Sequence, residues 1–222
     1  MIDYKVIFTK DGSKTLQMPE LNEQYHSVHG AVNEAEHVFI QNGFRECKQD
    51  SMTIFEMGFG TALNAFMTFL ESKKTGQSIR YYAVEQFPLP LSVAESLDYP
   101  ERLCALDDKT IFSQMHSAEW NRICAVSPNF ELFKIRDSIQ NMLMDEKVDL
   151  VYYDAFGPRV QAELWSEDIF TKISTFMTSN SILVTYCAKG EVKRILKRVG
   201  FDVETLVGPP GKREMIRAKW LK

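Results

Sequence analysis

Four acidic residues each close an apolar run: Glu56 after Ile54-Phe55, Glu85 after Tyr82-Ala83-Val84, Asp137 after Ile135-Arg136, and Asp154 after Val151-Tyr152-Tyr153. If those runs are neighbouring strands, the acids meet at one edge of a sheet, where open α/β folds bind their ligands. The first run continues as Glu56-Met57-Gly58-Phe59-Gly60-Thr61-Ala62-Leu63-Asn64 and then takes on helical spacing. Two spaced glycines let the backbone turn tightly against a ligand, and the free N–H groups of the following helix point at it. A dinucleotide fingerprint would place Gly or Ala at the sixth motif position, but Leu63 stands there, and Glu56 sets a negative charge where phosphates would be repelled. That combination suits S-adenosylmethionine, which has no phosphate and carries an ammonium and a sulfonium. The competing reading of the glycine pair alone is an ordinary strand-to-helix turn.

The remaining acids extend this chemistry. Glu85 follows Gly58 by 27 residues, one strand-helix-strand step, where a carboxylate can accept both ribose hydroxyls of an adenosine cofactor. Asp137 can accept from the adenine amino group. Asp154 opens Asp154-Ala155-Phe156-Gly157-Pro158, which lacks the two successive prolines of loops that clamp a planar amine. A lone carboxylate there suits an aliphatic amine, cationic at neutral pH, which must be oriented and deprotonated before it attacks a methyl group.

Elements able to hold these residues follow from the pattern. From residue 52 onward apolar runs alternate with helix-period segments, the mark of βαβ units and a mainly parallel sheet. Strands are expected at 52–57, 79–85, 130–136, 148–154, 181–187, 201–207 and 215–221, with Ser166 capping a helix after the fourth. Gly208-Pro209-Pro210-Gly211-Lys212-Arg213 is too short for a parallel crossover, so the last strand is antiparallel. The expected fold is an α/β, Rossmann-like class I methyltransferase: a seven-stranded, mostly parallel sheet with an antiparallel last strand. Residues 51–222 would form the methyltransferase domain. Residues 1–50 would form a small appendage, with a hairpin turning at Asp11-Gly12 and a helix over 31–42.

At 222 residues and 45% hydrophobic content the chain can bury a sizeable core. It has neither an apolar run long enough for a membrane span nor a basic-then-apolar start, so a cytoplasmic location is expected. The four cysteines have no metal-ligand or redox spacing and are expected as buried free thiols; no metal is expected from His26, His29 and His37. Net charge is −4, yet residues 189–222 hold ten Lys or Arg against four acids. That end suits a polyanion; a solvated basic face is the plain alternative.

Together, Glu56 to Asn64, Tyr82-Ala-Val-Glu85, Asp154 to Pro158 with Glu163-Leu-Trp165, and Gly208 to Met215 resemble the bacterial tRNA 5-methylaminomethyl-2-thiouridine biosynthesis methyltransferases. The resemblance extends into the appendage through Tyr25-His-Ser27 and Glu34 to Ile40. It implies methyl transfer from S-adenosylmethionine to the aminomethyl nitrogen on C5 of the wobble uridine, at position 34 of the anticodon loop. It implies Asp154 as the catalytic residue. Glu56, Gly58, Gly60, Thr61, Asn64, Glu85 and Asp137 would meet the cofactor, with Tyr25, Ser27 and Glu34 either closing over its methionine end or holding the appendage in place. Phe156 and Pro158 would meet the substrate base, and Lys189, Lys193, Arg194, Lys197, Lys212 and Arg213 the tRNA phosphates. The chain has no room for the flavin-dependent oxidase domain of fused members, so a stand-alone form is expected, with other enzymes supplying the aminomethyl group. Three readings compete: a small-molecule amine methyltransferase or spermidine-synthase-like aminopropyltransferase, a silent adenosyl- or tRNA-binding module, and a nicotinamide-binding fold.

Overall fold

The computed structural model describes residues 3–222. Strands β1 (Lys5–Phe8), β2 (Lys14–Met18) and β3 (Glu23–Gln24) form a small antiparallel sheet. Asp11 closes the β1–β2 turn by accepting from the hydroxyls of Thr9 (2.7 Å) and Ser13 (2.5 Å). Helix α1 (Ala31–Ala35) follows and widens into a π-helical turn over Glu36–Gln41. Ala31, Ala35, Val38 and Phe39 bury their side chains in the same apolar cluster as Ile54, Phe66 and Tyr152, so the appendage shares the core of the main sheet.

The main body runs β4 (Ser51–Met57), α2 (Leu63–Thr75), β5 (Ser78–Val84), α3 (Leu91–Ala94), α4 (Tyr99–Arg102), α5 (Lys109–Ser117), β6 (Ile123–Ser127), β7 (Phe130–Ile135), β8 (Val148–Tyr153), α6 (Glu167–Thr175), β9 (Met177–Thr185), α7 (Gly190–Val199), β10 (Phe201–Val207) and β11 (Glu214–Trp220). The sheet has eight strands in the order β10-β11-β9-β8-β4-β5-β7-β6. The five central strands are parallel, and β11 inserts antiparallel between β10 and β9. All seven expected strands are present. The expected count is corrected by one, because β6 adds an antiparallel edge against β7.

Helices close on local signals. The Ser166 hydroxyl accepts from the Ile169 N–H at the start of α6, and Gly76 and Gly200 end α2 and α7 in the left-handed conformation. Central strands are apolar on both faces, as a helix-covered parallel sheet requires. Strand order reverses between β4 and β8, which opens a crevice at their carboxyl ends.

Candidate active site

Backbone hydrogen bonds lace the strand ends around that crevice. The Gly58 N–H donates to Val84 O (3.0 Å), the Glu85 N–H to Ile135 O (2.9 Å) and the Asp154 N–H to Met57 O (3.1 Å). The acids thereby hang from one hydrogen-bonded frame. Between them lies a cavity of about 370 Å³, of the size that takes a small molecule, lined by Tyr25, Gly58, Gly60, Thr61, Asn64, Glu85, Asp137, Asp154 and Phe156 among others. Leu21 and Tyr4 bring the appendage to its rim.

The glycine turn is shaped for close approach. Gly58 and Gly60 have φ of +90° and +46°, and a side chain on Gly60 would meet the Tyr25 ring at 3.2 Å. Ala62 takes φ +58° without being glycine, a local strain that brings α2 in directly behind the turn. Glu85 accepts from the Gly60 N–H (3.1 Å) and the Phe87 N–H (2.8 Å), while burial pushes its carboxyl above the usual range. His26 ties the turn to the appendage, bonding Thr15 Oγ1 (2.9 Å) and Thr61 Oγ1 (3.4 Å); burial lowers it to about 4, so the ring is neutral.

Asn64, in the first turn of α2, donates to Glu56 Oε1 (2.9 Å) and Asp154 Oδ2 (2.8 Å) through the same nitrogen. Its Oδ1 is buried without a partner. Asp154 is raised to about 7, by burial first and then by the Glu34 charge, with Asn64 and Lys212 pulling the other way. Three aromatic side chains hold the loop that follows. Trp165 Nε1 donates to Phe156 O (2.8 Å), the Tyr186 hydroxyl to Ala155 O (2.8 Å), and the Tyr153 hydroxyl to Leu164 O.

The structure departs from the sequence-based site in several places. Glu56 is buried and does not line the cavity; burial holds its carboxyl well above the usual range, its Oε1 accepts from Asn64, and its Oε2 is buried without a partner. Ser27 and Glu34 also stand off the wall: Ser27 takes the His29 N–H on its Oγ, and Glu34 pairs with Lys212 at 2.5 Å. Lys212 is therefore engaged by a buried acid, and Lys193 by Glu214 at 2.6 Å. Lys189, Arg194, Lys197 and Arg213 are exposed and make no ion pair among the described residues. Pro158 lies just beyond the cavity wall. Of the cysteines, Cys47 and Cys187 are buried as expected, whereas Cys104 is exposed and Cys124 half-buried. His26, His29 and His37 point to separate partners, and the described residues hold no cluster suited to a metal. Sequence reading missed Tyr186, Asn64's bridging role and the placing of the Lys134 ammonium over the Phe59 and Trp120 rings, since each depends on contacts between distant segments.

A profile of the S-adenosyl-L-methionine-dependent methyltransferases matches residues 125–220. The sheet order and the glycine turn at the switch point give the chain the fold of the class I S-adenosyl-L-methionine-dependent methyltransferases, and the match is a sequence similarity to them over that stretch. Its relatives are the tRNA 5-methylaminomethyl-2-thiouridine biosynthesis bifunctional proteins MnmC. The one from Cupriavidus metallidurans is 28% identical over 96% of this chain and 33% of its own length, so the chain spans about a third of the curated relatives it matches. MNMC2 from Aquifex aeolicus superposes with a TM-score of 0.78 at 22% identity, over 100% of this chain and 71% of that one. Spermidine synthase from Thermotoga maritima shares the fold more loosely, with a TM-score of 0.54 at 12% identity over 98% and 74% of the two chains.

The residues present fit the cofactor. Glu85 and Asp154 are half-buried acids whose carboxyls are pushed upward, Asn64 Oδ1 lacks a donor, and a glycine cradle lines the same cavity. A cationic ligand rich in N–H and O–H donors answers each of these deficits.

Proposed function

We propose that the chain methylates the aminomethyl nitrogen on C5 of the wobble uridine, with or without a 2-thio group, in tRNA. The observation that carries this reading is Asp154: a carboxylate fixed by Asn64 on the wall of an acidic, aromatic-lined cavity, with a pKa moved to about 7. S-adenosylmethionine supplies an electrophilic methyl group when bound.

The chain's own residues do the rest. Gly58 and Gly60 admit the cofactor to the backbone, Glu85 accepts from its ribose hydroxyls, and Asp137, on the far wall, accepts on the adenine side. Asn64 fixes one oxygen of Asp154, which leaves the other to accept the N–H bonds of the amine. An incoming ammonium favours the ionised carboxylate. Asp154 then orients the nitrogen and takes up the proton it sheds as the methyl group is transferred. The Trp165 and Tyr186 bonds keep the loop from shifting as charge moves.

Two further observations support tRNA as the partner. The matched relatives are named for tRNA modification, and Lys189, Arg194, Lys197 and Arg213 lie exposed on the α7 and β10–β11 side. The anticodon loop is single-stranded, so its wobble base is accessible without duplex melting. The chain acts without flavin in this reading, and upstream enzymes make the amine. The spermidine-synthase-like fold favours a second reading, transfer to a small amine, for which an exposed basic rim is unsuited.

The test is transfer of labelled methyl from S-adenosylmethionine to tRNA from cells lacking this activity, beside spermidine-pathway amines. Label in the wobble nucleoside, lost with Asp154→Asn, supports the proposal; label only in small amines overturns it.

A further inference from the structure

Lys212 rises from the β10–β11 turn into surroundings that a surface lysine seldom meets. Its ammonium lies 2.5 Å from Glu34 Oε2 and 3.7 Å from the centre of the Tyr186 ring. Glu34 is almost wholly buried and spends its other oxygen on the Ser27 N–H (3.3 Å). Tyr186 is fixed by its hydroxyl on Ala155, the residue after Asp154. The charges of both Glu34 and Lys212 reach Asp154. A buried carboxylate and an aromatic face, beside the catalytic acid, form a built site for an alkyl ammonium. Around it the hairpin is firmly seated: a side chain on Gly211 would strike His29, the His37 ring bonds Val207 O (2.8 Å), and Lys193 pairs with Glu214. Only the lysine's flexible stem is free to leave.

We infer that Glu34 and Tyr186 form the cation subsite for the acceptor's alkyl ammonium, and that Lys212 fills this subsite in the free protein until the acceptor displaces it. The inference rests on the amine-acceptor reading proposed above. Lys212 and an aminomethyl group are both primary alkyl ammoniums, so one site fits both. Self-occupancy makes the subsite selective: a neutral exocyclic base amine cannot replace a cation between a buried carboxylate and a ring face without leaving that carboxylate unpaired.

The test uses n-propylammonium as a probe in the full-length chain, its binding followed by NMR line broadening, with Lys212→Met against wild type. Opening the subsite should tighten probe binding at least about tenfold, and adding Glu34→Gln to Lys212→Met should abolish the gain. In methyl transfer, Lys212→Met should lower KM for the tRNA acceptor, while a lysine that merely held phosphate or stapled the hairpin would give a higher KM. Equal probe binding by wild type and Lys212→Met, or a gain that survives Glu34→Gln, overturns the inference. Lys212→Gln replaces the methionine variant if circular dichroism finds that variant unfolded. The probe contains no nucleic acid, so its binding without methyl transfer to tRNA would defeat only the acceptor reading.

Discussion

At the residue scale, the role proposed for Asp154 in methyl transfer carries a cost in stability. Burial raises its carboxyl from the ordinary 3.8 to about 7. The folded state therefore holds its proton more tightly than the unfolded state, and stability is lost as pH rises from about 4 through about 7. Asp154→Asn removes that penalty while keeping an oxygen for Asn64. It should cut methyl transfer by at least about a hundredfold and raise stability at pH 8 by roughly 1–2 kcal/mol, less than the full linkage value because the cavity is open to water. Thermal melts at pH 5 and pH 8 check this; equal stabilisation at both would remove titration as the cause. Gly60 poses a backbone question. With φ at +46° and the Tyr25 ring at 3.2 Å from a would-be Cβ, Gly60→Ala displaces either the turn or the ring. Calorimetry should show S-adenosylmethionine affinity falling about tenfold or more, from roughly 1–3 kcal/mol of strain.

At the element scale, β7 carries an unusual passenger. Lys134 is fully buried, donating to His116 O (2.7 Å) with its ammonium 4.4 Å from the Trp120 ring centre and 5.3 Å from that of Phe59. His116 in turn bonds Thr61 O (3.2 Å), so the cage braces the glycine turn from outside. Burial lowers Lys134 to about 8. Between pH 8 and the ordinary 10.5 the unfolded state holds more protons here, and this group makes stability rise with pH across that window. Lys134→Met should flatten that rise in pH-resolved melts; an unchanged slope would mean the lysine is not the titrating group. The same scale separates what sequence conveys from what it does not. Central strands such as Ser51–Met57 and Val148–Tyr153 bury nearly every residue and announce themselves as apolar runs. Strand Ile123–Ser127 buries only Val126 completely, so its composition carried no such sign and the edge was unexpected. The four acids were legible because strand ends follow from those runs. Which acid faces the cavity was not: Glu56 and Met57 differ by one position, and the pleat together with α2 turns Glu56 inward. Lys212 and Glu34, 178 residues apart, meet only through the packing of hairpin on appendage, and no local pattern encodes that meeting.

At the scale of the whole molecule, charge is divided by function. The cavity at the carboxyl ends of the strands collects Glu85, Asp137 and Asp154, while unpaired Lys189, Arg194, Lys197 and Arg213 belong to the start and length of α7 and to the last hairpin. Pairing engages Lys193, Arg198, Lys212 and Arg217, so the count of basic residues in residues 189–222 overstates what phosphates meet. Affinity for tRNA should therefore depend on unpaired cations, Lys189, Arg194, Lys197 and Arg213 among them. Each one that neutralises a phosphate adds somewhat less than one unit to the slope of log affinity against log salt. Reversing Lys189 and Arg213 to Glu should weaken tRNA binding at low salt and flatten that slope by about 1–2 units, with S-adenosylmethionine affinity unchanged because neither residue lines the cavity. Filter binding across a salt series, beside calorimetry with the cofactor, separates the two effects. A parallel loss of cofactor affinity would place the cations in the catalytic site, and an unchanged salt slope would move the nucleic-acid surface to another face.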